Sequence, residues 1–179
     1  MKYLSKLIRE IVPVIIGILI ALFINNWNED RKDKEYLDQI FSSMEKELEE
    51  SLADIRRVLP KQLASIDTLD VYLNNEEVSL YAIMMRSNGI HFPSIKTNSW
   101  NAIVNSKIEL IEYDKLSALA DFEEGKENLK FRVEKQMDYI FQNFEKKDVK
   151  KKTILRMMLV DIVSAEKGLC TEIEAILKK

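Results

Sequence analysis

Residues 11–24 read IVPVIIGILIALFI, fourteen consecutive residues without a charge. A helix needs about 20 apolar residues to cross roughly 30 Å of hydrocarbon. The flanks supply the difference, because Leu7 precedes the run and a pair of asparagines and Trp27 follow it. Tryptophan is favoured at the depth where a membrane meets water. The segment from Leu7 to Trp27 is therefore long enough to form a transmembrane helix.

Two other interpretations of this stretch are a cleaved secretory signal and a buried core helix. A cleaved signal ends in small residues, whereas this run ends in Phe23-Ile24-Asn25-Asn26-Trp27. A buried core helix would need partners that cover it on every side, and the rest of the chain is amphipathic. We therefore predict an uncleaved membrane anchor, with the lipid bilayer as its first partner.

The basic residues near the anchor bear on its orientation. Three precede it and three follow it: Lys2, Lys6, Arg9, Arg31, Lys32 and Lys34. The first three lie closer to the apolar run, which favours an amino terminus inside the cell. The predicted segments are a cytoplasmic tail at residues 1–10, an anchor at 11–27 and an extracytoplasmic domain at 28–179. This topology places the protein in the inner (cytoplasmic) membrane, single-pass, with its domain in the periplasm.

Small and polar residues recur every four positions within the anchor. Pro13, Gly17, Ala21 and Asn25 fall near one stripe of a helix, and Trp27 follows them. Small residues four apart allow two helix backbones to approach closely in lipid, and an asparagine there adds an interhelical hydrogen bond. The stripe predicts helix packing, whereas glycine and alanine are also common in membrane helices without such a role.

The motif GILIAL at residues 17–22, followed by INNWNE at 24–29 and Arg31-Lys32, resembles the start of a family of small bacterial membrane-anchored proteins of unknown function. A weaker likeness lies between Trp100 and Leu119. The sequence departs from the family pattern at Phe23 and Pro13. The resemblance implies one amino-terminal anchor followed by an all-helical region, and it implies no activity, cofactor or catalytic residue.

The composition of the 179 residues favours long helices over other folds. The chain has four Gly, three Pro, one Cys and one His, and 32% of its residues are charged. So few glycines and prolines argue against glycine-rich phosphate loops, β-sandwiches and disordered linkers, and one cysteine excludes an internal disulfide or a multi-thiolate metal site. These counts, with the apolar periodicity described next, predict an all-α fold.

Apolar residues recur at intervals of three and four along most of the chain beyond Trp27. The anchor helix is predicted to continue to Leu59, where Pro60 ends or kinks it. A second helix should carry Leu63 and Ile66 on its apolar face and stop at Asn74-Asn75. A short helical stretch at 78–85 should break at Ser87-Asn88-Gly89.

The second half of the chain follows the same pattern. Thr97 or Asn98 should cap a helix, Ile108-Glu109-Leu110-Ile111 is ambiguous between a strand and a link, and Asp114 should cap the next helix. That helix, with Leu116, Leu119 and Ala120 facing inward, is expected to continue through Gly125 to a turn at residues 145–148, before a last helix. The prediction is an antiparallel up-and-down bundle of four or five helices on the anchor, with a long coiled-coil dimer as the alternative.

Residues that carry chemistry are sparse. His91 lies in a loop without a second His or a nearby Cys, and no Ser lies in a nucleophile motif. The acids at positions 45, 49, 121, 123 and 124 could bind a hard cation through their carboxylate oxygens. Clustered acids on a helix more often form a solvent-exposed face. We therefore predict no catalytic residue, no metal and no cofactor, and expect that the protein is not an enzyme.

The remaining groups also favour structural roles. Residues 35–179 hold 21 basic and 26 acidic groups, a net charge of −5, so nucleic acid is not an expected partner. The one basic cluster would attract phosphate or an anionic membrane, an interpretation that the net negative charge opposes: Lys146, Lys147, Lys150, Lys151 and Lys152. Core filling is expected of Met84, Met85, Met157, Met158 and Cys170.

Two functions of different classes remain. The first is a membrane-anchored helical interaction or scaffold protein that binds itself or another envelope protein. The second is a sensory or small-molecule-binding bundle, with its ligand held near Trp100, Tyr113 and His91, which needs a cavity of about 300 Å³.

Overall fold

The computed structural model describes residues 2–105 and 108–178, with side chains from residue 9 onward. The described residues form five α-helices, α1 (Lys2–Val71), α2 (Leu80–Arg86), α3 (Asn98–Val104), α4 (Tyr113–Gln142) and α5 (Val149–Leu177), with a single 3₁₀ turn at Ile108–Leu110. No strand occurs among them. The prediction of an all-α bundle is confirmed, and the ambiguity at 108–111 resolves to helical turn rather than strand.

The chain divides into two units, residues 1–42 and residues 43–179. The first unit is helical from Lys2 onward, and the second contains the remainder of α1 and all the other helices. The predicted boundary after residue 27 separates a membrane segment from a domain outside the membrane. The division into units at residue 42 is a different kind of boundary and does not test it.

In the second unit the long helices form a bundle in which α5 runs antiparallel to α1 and α4. Side-chain pairs between α1 and α5 join Arg56 to Glu174 and Asp70 to Arg156, so residue numbers rise on one helix as they fall on the other. The same reversal relates α4 to α5, where Arg132 pairs with Asp161 and the hydroxyl of Tyr139 donates to the carbonyl of Lys151. The predicted antiparallel packing is confirmed for α5 against α1 and against α4, whereas α1 and α4 run parallel to each other, so a strict up-and-down order does not hold for that pair.

Apolar side chains of four helices meet where α1 ends. One buried cluster joins α1, α2, α4 and α5, and its members are Ile66, Leu69, Leu80, Ile83, Met84, Ile140, Leu155, Leu159 and Val163. Burial of a full Leu or Ile side chain stabilises a fold by about 1.5–3 kcal/mol relative to exposure. This cluster attaches the seven-residue helix α2, which is too short to be stable by itself.

The first helix does not end at Pro60, where the sequence predicted an end or a kink, because α1 runs through Pro60 to Val71. Proline removes one helical amide donor. Buried residues on both sides, Ile55 and Val58 before it and Ile66 and Leu69 after it, hold the helix against the bundle. Packing therefore outweighs the local preference. The predicted stop near Asn74-Asn75 is confirmed.

Several smaller predictions also changed. Helix α4 begins at Tyr113 with Glu112 as its cap residue, so Asp114 lies in the first turn and is not the cap. Leu63 is 42% exposed and Ala120 is exposed, although both were expected to face inward. The continuation of α4 through Gly125 is confirmed.

The predicted break after α2 is confirmed at Asn88 and Gly89. Their φ angles of 61° and 95° lie in the left-handed region that favours glycine. The amide of Gly89 donates to the carbonyl of Met84 over 2.9 Å and closes the end of α2. The chain then continues without regular secondary structure through residues 90–97, which we call the strap.

Candidate functional site

The apolar residues of the predicted anchor are not covered by any other part of the described chain. Within that part, α1 is the one helix long and apolar enough to cross a membrane, with an 18-residue stretch of mean hydropathy 1.9 and no buried residue. Exposed fractions range from 44% at Ile11 to 72% at Phe23. Apolar surface of this length is rare on proteins that remain in water.

All five residues singled out in the anchor, Pro13, Gly17, Ala21, Asn25 and Trp27, lie on α1 and are exposed. Their helical geometry puts residues four apart on neighbouring turns, as the sequence predicts. A Cβ built on Gly17 would meet nothing within 4 Å. The absence of a side chain at Gly17 therefore serves no contact inside the described chain.

The strap is attached to α1 through backbone atoms. Its amides at Ser94 and Lys96 donate to the Asp54 carboxylate over 2.7 Å and to the Ser51 hydroxyl over 2.9 Å. The side-chain amide of Gln62 donates to the carbonyl of His91 over 2.9 Å. Side chains of α1 thus make the hydrogen bonds to the strap backbone that a neighbouring β-strand would make in a sheet. The hydrogen bond from the Ser94 amide lowers the pKa of Asp54.

The same face of α1 caps the next helix. Glu47 accepts from the backbone amide of Ser99 over 3.1 Å, in the first turn of α3. Thr97 is the cap residue of α3 but its side chain makes no capping hydrogen bond, so the predicted capping by Thr97 or Asn98 is wrong in its chemistry. The Thr97 hydroxyl instead accepts from the Lys126 ammonium over 2.6 Å.

A groove of about 230 Å³ lies between the strap and α4. Its lining is mostly apolar and consists of Phe92, Pro93, Ile95, Lys126, Leu129, Lys130 and Val133. The two lysines at its edge already have acidic partners, since Lys126 pairs with Glu123 and Lys130 lies 3.7 Å from Glu127.

The residues predicted for a ligand-binding bundle do not form a cavity of the needed size. The cavity that Trp100 helps to line has a volume of about 10 Å³. Tyr113 is 79% exposed, and the hydrogen bond at His91 uses its backbone carbonyl. The geometry therefore gives no support to a ligand site at Trp100, Tyr113 and His91.

The candidate metal-binding acids are dispersed. In residues 2–105 and 108–178, no group of three or more His, Cys, Asp or Glu side chains is placed to hold a metal ion. Glu45, Glu49, Asp121 and Glu124 are exposed. Glu123 is half-buried and bonds to Lys126.

The predicted lysine cluster is divided between surface and core. Lys146, Lys147 and Lys150 are exposed, whereas Lys152 is fully buried. Its ammonium donates to the carbonyls of Tyr72, over 3.1 Å, and Asn75, at the end of α1. A cation there complements the negative end of the helix dipole, although burial lowers the pKa of Lys152. Lys152 therefore does not belong to a basic surface patch.

The predicted core methionines also divide. Met84 is 5% exposed and lies in the core, whereas Met85 and Met157 are 60% and 65% exposed. Met158 is half-buried, and so is Cys170, whose pKa is raised chiefly by burial. Core filling is therefore confirmed for Met84 and wrong for Met85 and Met157.

The buried polar side chains that the sequence predictions missed include two glutamines and a glutamate. Gln62, Gln136 and Glu166 are 2%, 0% and 0% exposed. Each occupies a core position in an apolar helical pattern, as Glu166 does between Ile162 and Leu169. A polar residue at a core position was the available signal, and it marks a group whose hydrogen bonds must be satisfied inside the fold.

Comparison with known proteins adds one match. Residues 10–85 match the model of a family described as "Family of unknown function (DUF6090)". The matched part takes in the apolar stretch, the rest of α1 and nearly all of α2, and it agrees with the resemblance to an uncharacterised family. No curated protein and no solved structure matches the chain.

Proposed function

We propose that this protein is a membrane-anchored helical interaction protein of the bacterial envelope. The observation that carries the proposal is the apolar stretch 11–24, exposed along its whole length on a chain that has a separate helical core. Water penalises such a surface, and a bilayer removes the penalty. The basic residues on the amino side favour a cytoplasmic amino terminus and a periplasmic domain.

An interaction role is favoured over catalysis by what the second unit offers. Its pockets of about 230 and 10 Å³ are small, and the charged side chains that line a wider one of about 560 Å³ are paired with one another, Arg57 with Asp54 and Lys96 with Glu50. Anchored bundles of this kind act through the surfaces they present. The partner is a second copy of this chain or another envelope protein.

Membrane integration is tested by carbonate extraction of cell membranes. The wild-type chain should remain in the pellet and should retain its first residues on intact-mass analysis. Leu19→Arg places a charge in the middle of the span, at a cost of about 3 kcal/mol, and should release a large fraction of the protein. Leu19→Phe is the matched control and should behave as wild type. Release of the wild-type chain by carbonate contradicts the proposal.

Orientation is tested separately with single cysteines in a Cys170→Ser background. Glu145→Cys, at an exposed turn, should react with a membrane-impermeant maleimide on intact spheroplasts. Lys2→Cys should react only after the membrane is opened. The reverse pattern would place the bundle in the cytoplasm.

Self-association through the anchor stripe is tested by oxidative crosslinking in native membranes. Gly17→Cys and Ala21→Cys should form disulfide-linked dimers, whereas Leu19→Cys, about half a turn away, should not. Equal crosslinking at all three positions would indicate random collision. In that case, mass spectrometry of proteins crosslinked to the intact chain would identify the partner instead.

A further inference from the structure

Gln62 on α1 and Glu166 on α5 form a buried polar pair inside the bundle. Their side chains are 2% and 0% exposed. The amide nitrogen Nε2 of Gln62 donates to Oε1 of Glu166 over 2.8 Å and to the carbonyl of His91 over 2.9 Å. One amide group therefore connects α1, α5 and the strap.

The same two side chains carry two buried oxygens without a hydrogen-bond partner. These are Oε1 of Gln62 and Oε2 of Glu166. Neither takes part in the hydrogen bond from Nε2 of Gln62 to Oε1 of Glu166. If Glu166 were ionised, both would be acceptors and neither would have a donor. An acid and an amide can instead form a doubly hydrogen-bonded pair, in which a single carboxyl proton satisfies both oxygens.

We propose that Glu166 is a protonated carboxylic acid in the folded chain, donating from Oε2 to Oε1 of Gln62, and that loss of this proton to water loosens the strap. The protonated pair acts as a pH-sensitive latch. It holds the amide of Gln62 in the orientation in which Nε2 donates to the carbonyl of His91. If Glu166 is ionised, its Oε2 and the Oε1 of Gln62 are both acceptors and repel each other. This inference is independent of the proposed membrane role.

The electrostatic surroundings agree with a retained proton. Burial raises the pKa of Glu166 to about 7, and the hydrogen bond from Gln62 opposes that rise. Leaving a carboxylate buried without a cation is costly, and the group responds by keeping its proton.

Charged or titratable side chains on the surrounding elements include Arg56 on α1, His91 in the strap, Lys126 and Lys130 on α4, and Cys170 and Glu174 on α5. Arg56 is bonded to Glu174 over 2.6 Å, and both lysines have acidic partners of their own on α4. Burial raises the pKa of Cys170, which favours its uncharged thiol. These cations are thus directed to other acids.

The pH range of the latch follows from the two states of the chain. The folded protein keeps the proton up to about pH 7, whereas an exposed carboxyl releases it near 4.5. The stabilisation is therefore fully present below pH 4.5, declines as the pH rises and is lost above about pH 7. The stabilisation from an ion-paired carboxylate changes in the opposite direction, because it is lost as the pH falls.

The test is amide hydrogen exchange of the strap in the full-length chain in micelles, with rates corrected for intrinsic exchange. Between pH 5.5 and 8, protection of residues 90–97 should fall by about tenfold or more in the wild type. Glu166→Gln keeps a neutral side chain that pairs with an amide, and its strap protection should not change with pH. Glu174→Gln removes an exposed carboxyl from the same helix and should retain the wild-type pH dependence.

A second measurement covers the case in which Glu166→Gln does not fold. Infrared difference spectra of the wild type should show the C=O stretch of a protonated carboxyl that disappears as the pH is raised through about 7. Strap protection independent of pH in the wild type, an unchanged pH dependence in Glu166→Gln, or the absence of that carboxyl band would each overturn the proposal.

Discussion

Gly125 and Gly168 are two helix-interior glycines with opposite surroundings, and they provide a matched pair of substitutions. A Cβ added at Gly125 on α4 would lie 2.8 Å from Cδ2 of Leu169 and 3.3 Å from Oε2 of Glu172, both on α5. At Gly168 on α5 the same atom would meet nothing within 4 Å. We predict that Gly125→Ala destabilises the bundle and that Gly168→Ala stabilises it.

The magnitudes follow from two opposing terms. Alanine is favoured over glycine inside a helix by up to about 1 kcal/mol, a gain that both variants share. Only Gly125→Ala also presses against Leu169, which is 2% exposed and closely packed. Such overpacking costs about 1–3 kcal/mol. The expected changes in the free energy of unfolding are a loss of about 1 kcal/mol for Gly125→Ala and a gain of about 1 kcal/mol for Gly168→Ala.

The assay is urea unfolding of the full chain in micelles, followed by far-ultraviolet circular dichroism. Leu169→Ala removes the opposing methyl groups, so Gly125→Ala in that background should become neutral or stabilising. The coupling energy between the two substitutions should reach about 1–3 kcal/mol. If Gly125→Ala stabilises the wild type as much as Gly168→Ala does, the close approach of α4 and α5 at this point is refuted.

Three further substitutions can be measured in the same urea assay. Pro60→Ala should stabilise the chain by about 1–2 kcal/mol, because alanine restores a helical amide donor; a loss of stability would contradict this. Lys152→Met should destabilise by about 2 kcal/mol, since it leaves two carbonyls at the end of α1 without a donor, and Lys150→Met on the surface should have almost no effect. Asp70→Asn should cost less than about 1 kcal/mol. The Arg156 guanidinium lowers the pKa of Asp70, so this contribution is present above the ordinary value of 3.8 and disappears as the pH falls below it; equal losses at pH 2 and pH 7 would exclude the pairing.

The helical segments were predictable because apolar spacing reports which face of a helix is buried, and this pattern holds through Gly125. The same reasoning failed at Pro60, where the local cost of a proline is smaller than the burial of Ile55 and Ile66 on either side. Local preference decides a helix end only where packing does not extend across it. No pattern of charges distinguished Lys152 from its exposed neighbours, because its role depends on the end of α1, which is distant in sequence.

The attachment of the strap was beyond prediction for a related reason. Its hydrogen bonds join backbone atoms to side chains 40 and 45 residues away, and backbone atoms carry no sequence signature. The buried pair Gln62–Glu166 was more accessible, since both residues interrupt apolar patterns. The exposed anchor residues were predicted from the sequence alone, and their role in helix packing stays a prediction.

The way the strap is attached makes its own side chains more tolerant of substitution than the side chains of α1 that hold it. Because α1 recognises carbonyl and amide groups of the strap, many different side chains at Ser94 and Lys96 would leave those contacts in place. On α1 the contacting atoms belong to the side chains of Ser51 and Asp54, where few replacements retain an acceptor at the right distance. Substitutions at Ser51 or Asp54 on the helix should therefore weaken the attachment more than substitutions of strap side chains do.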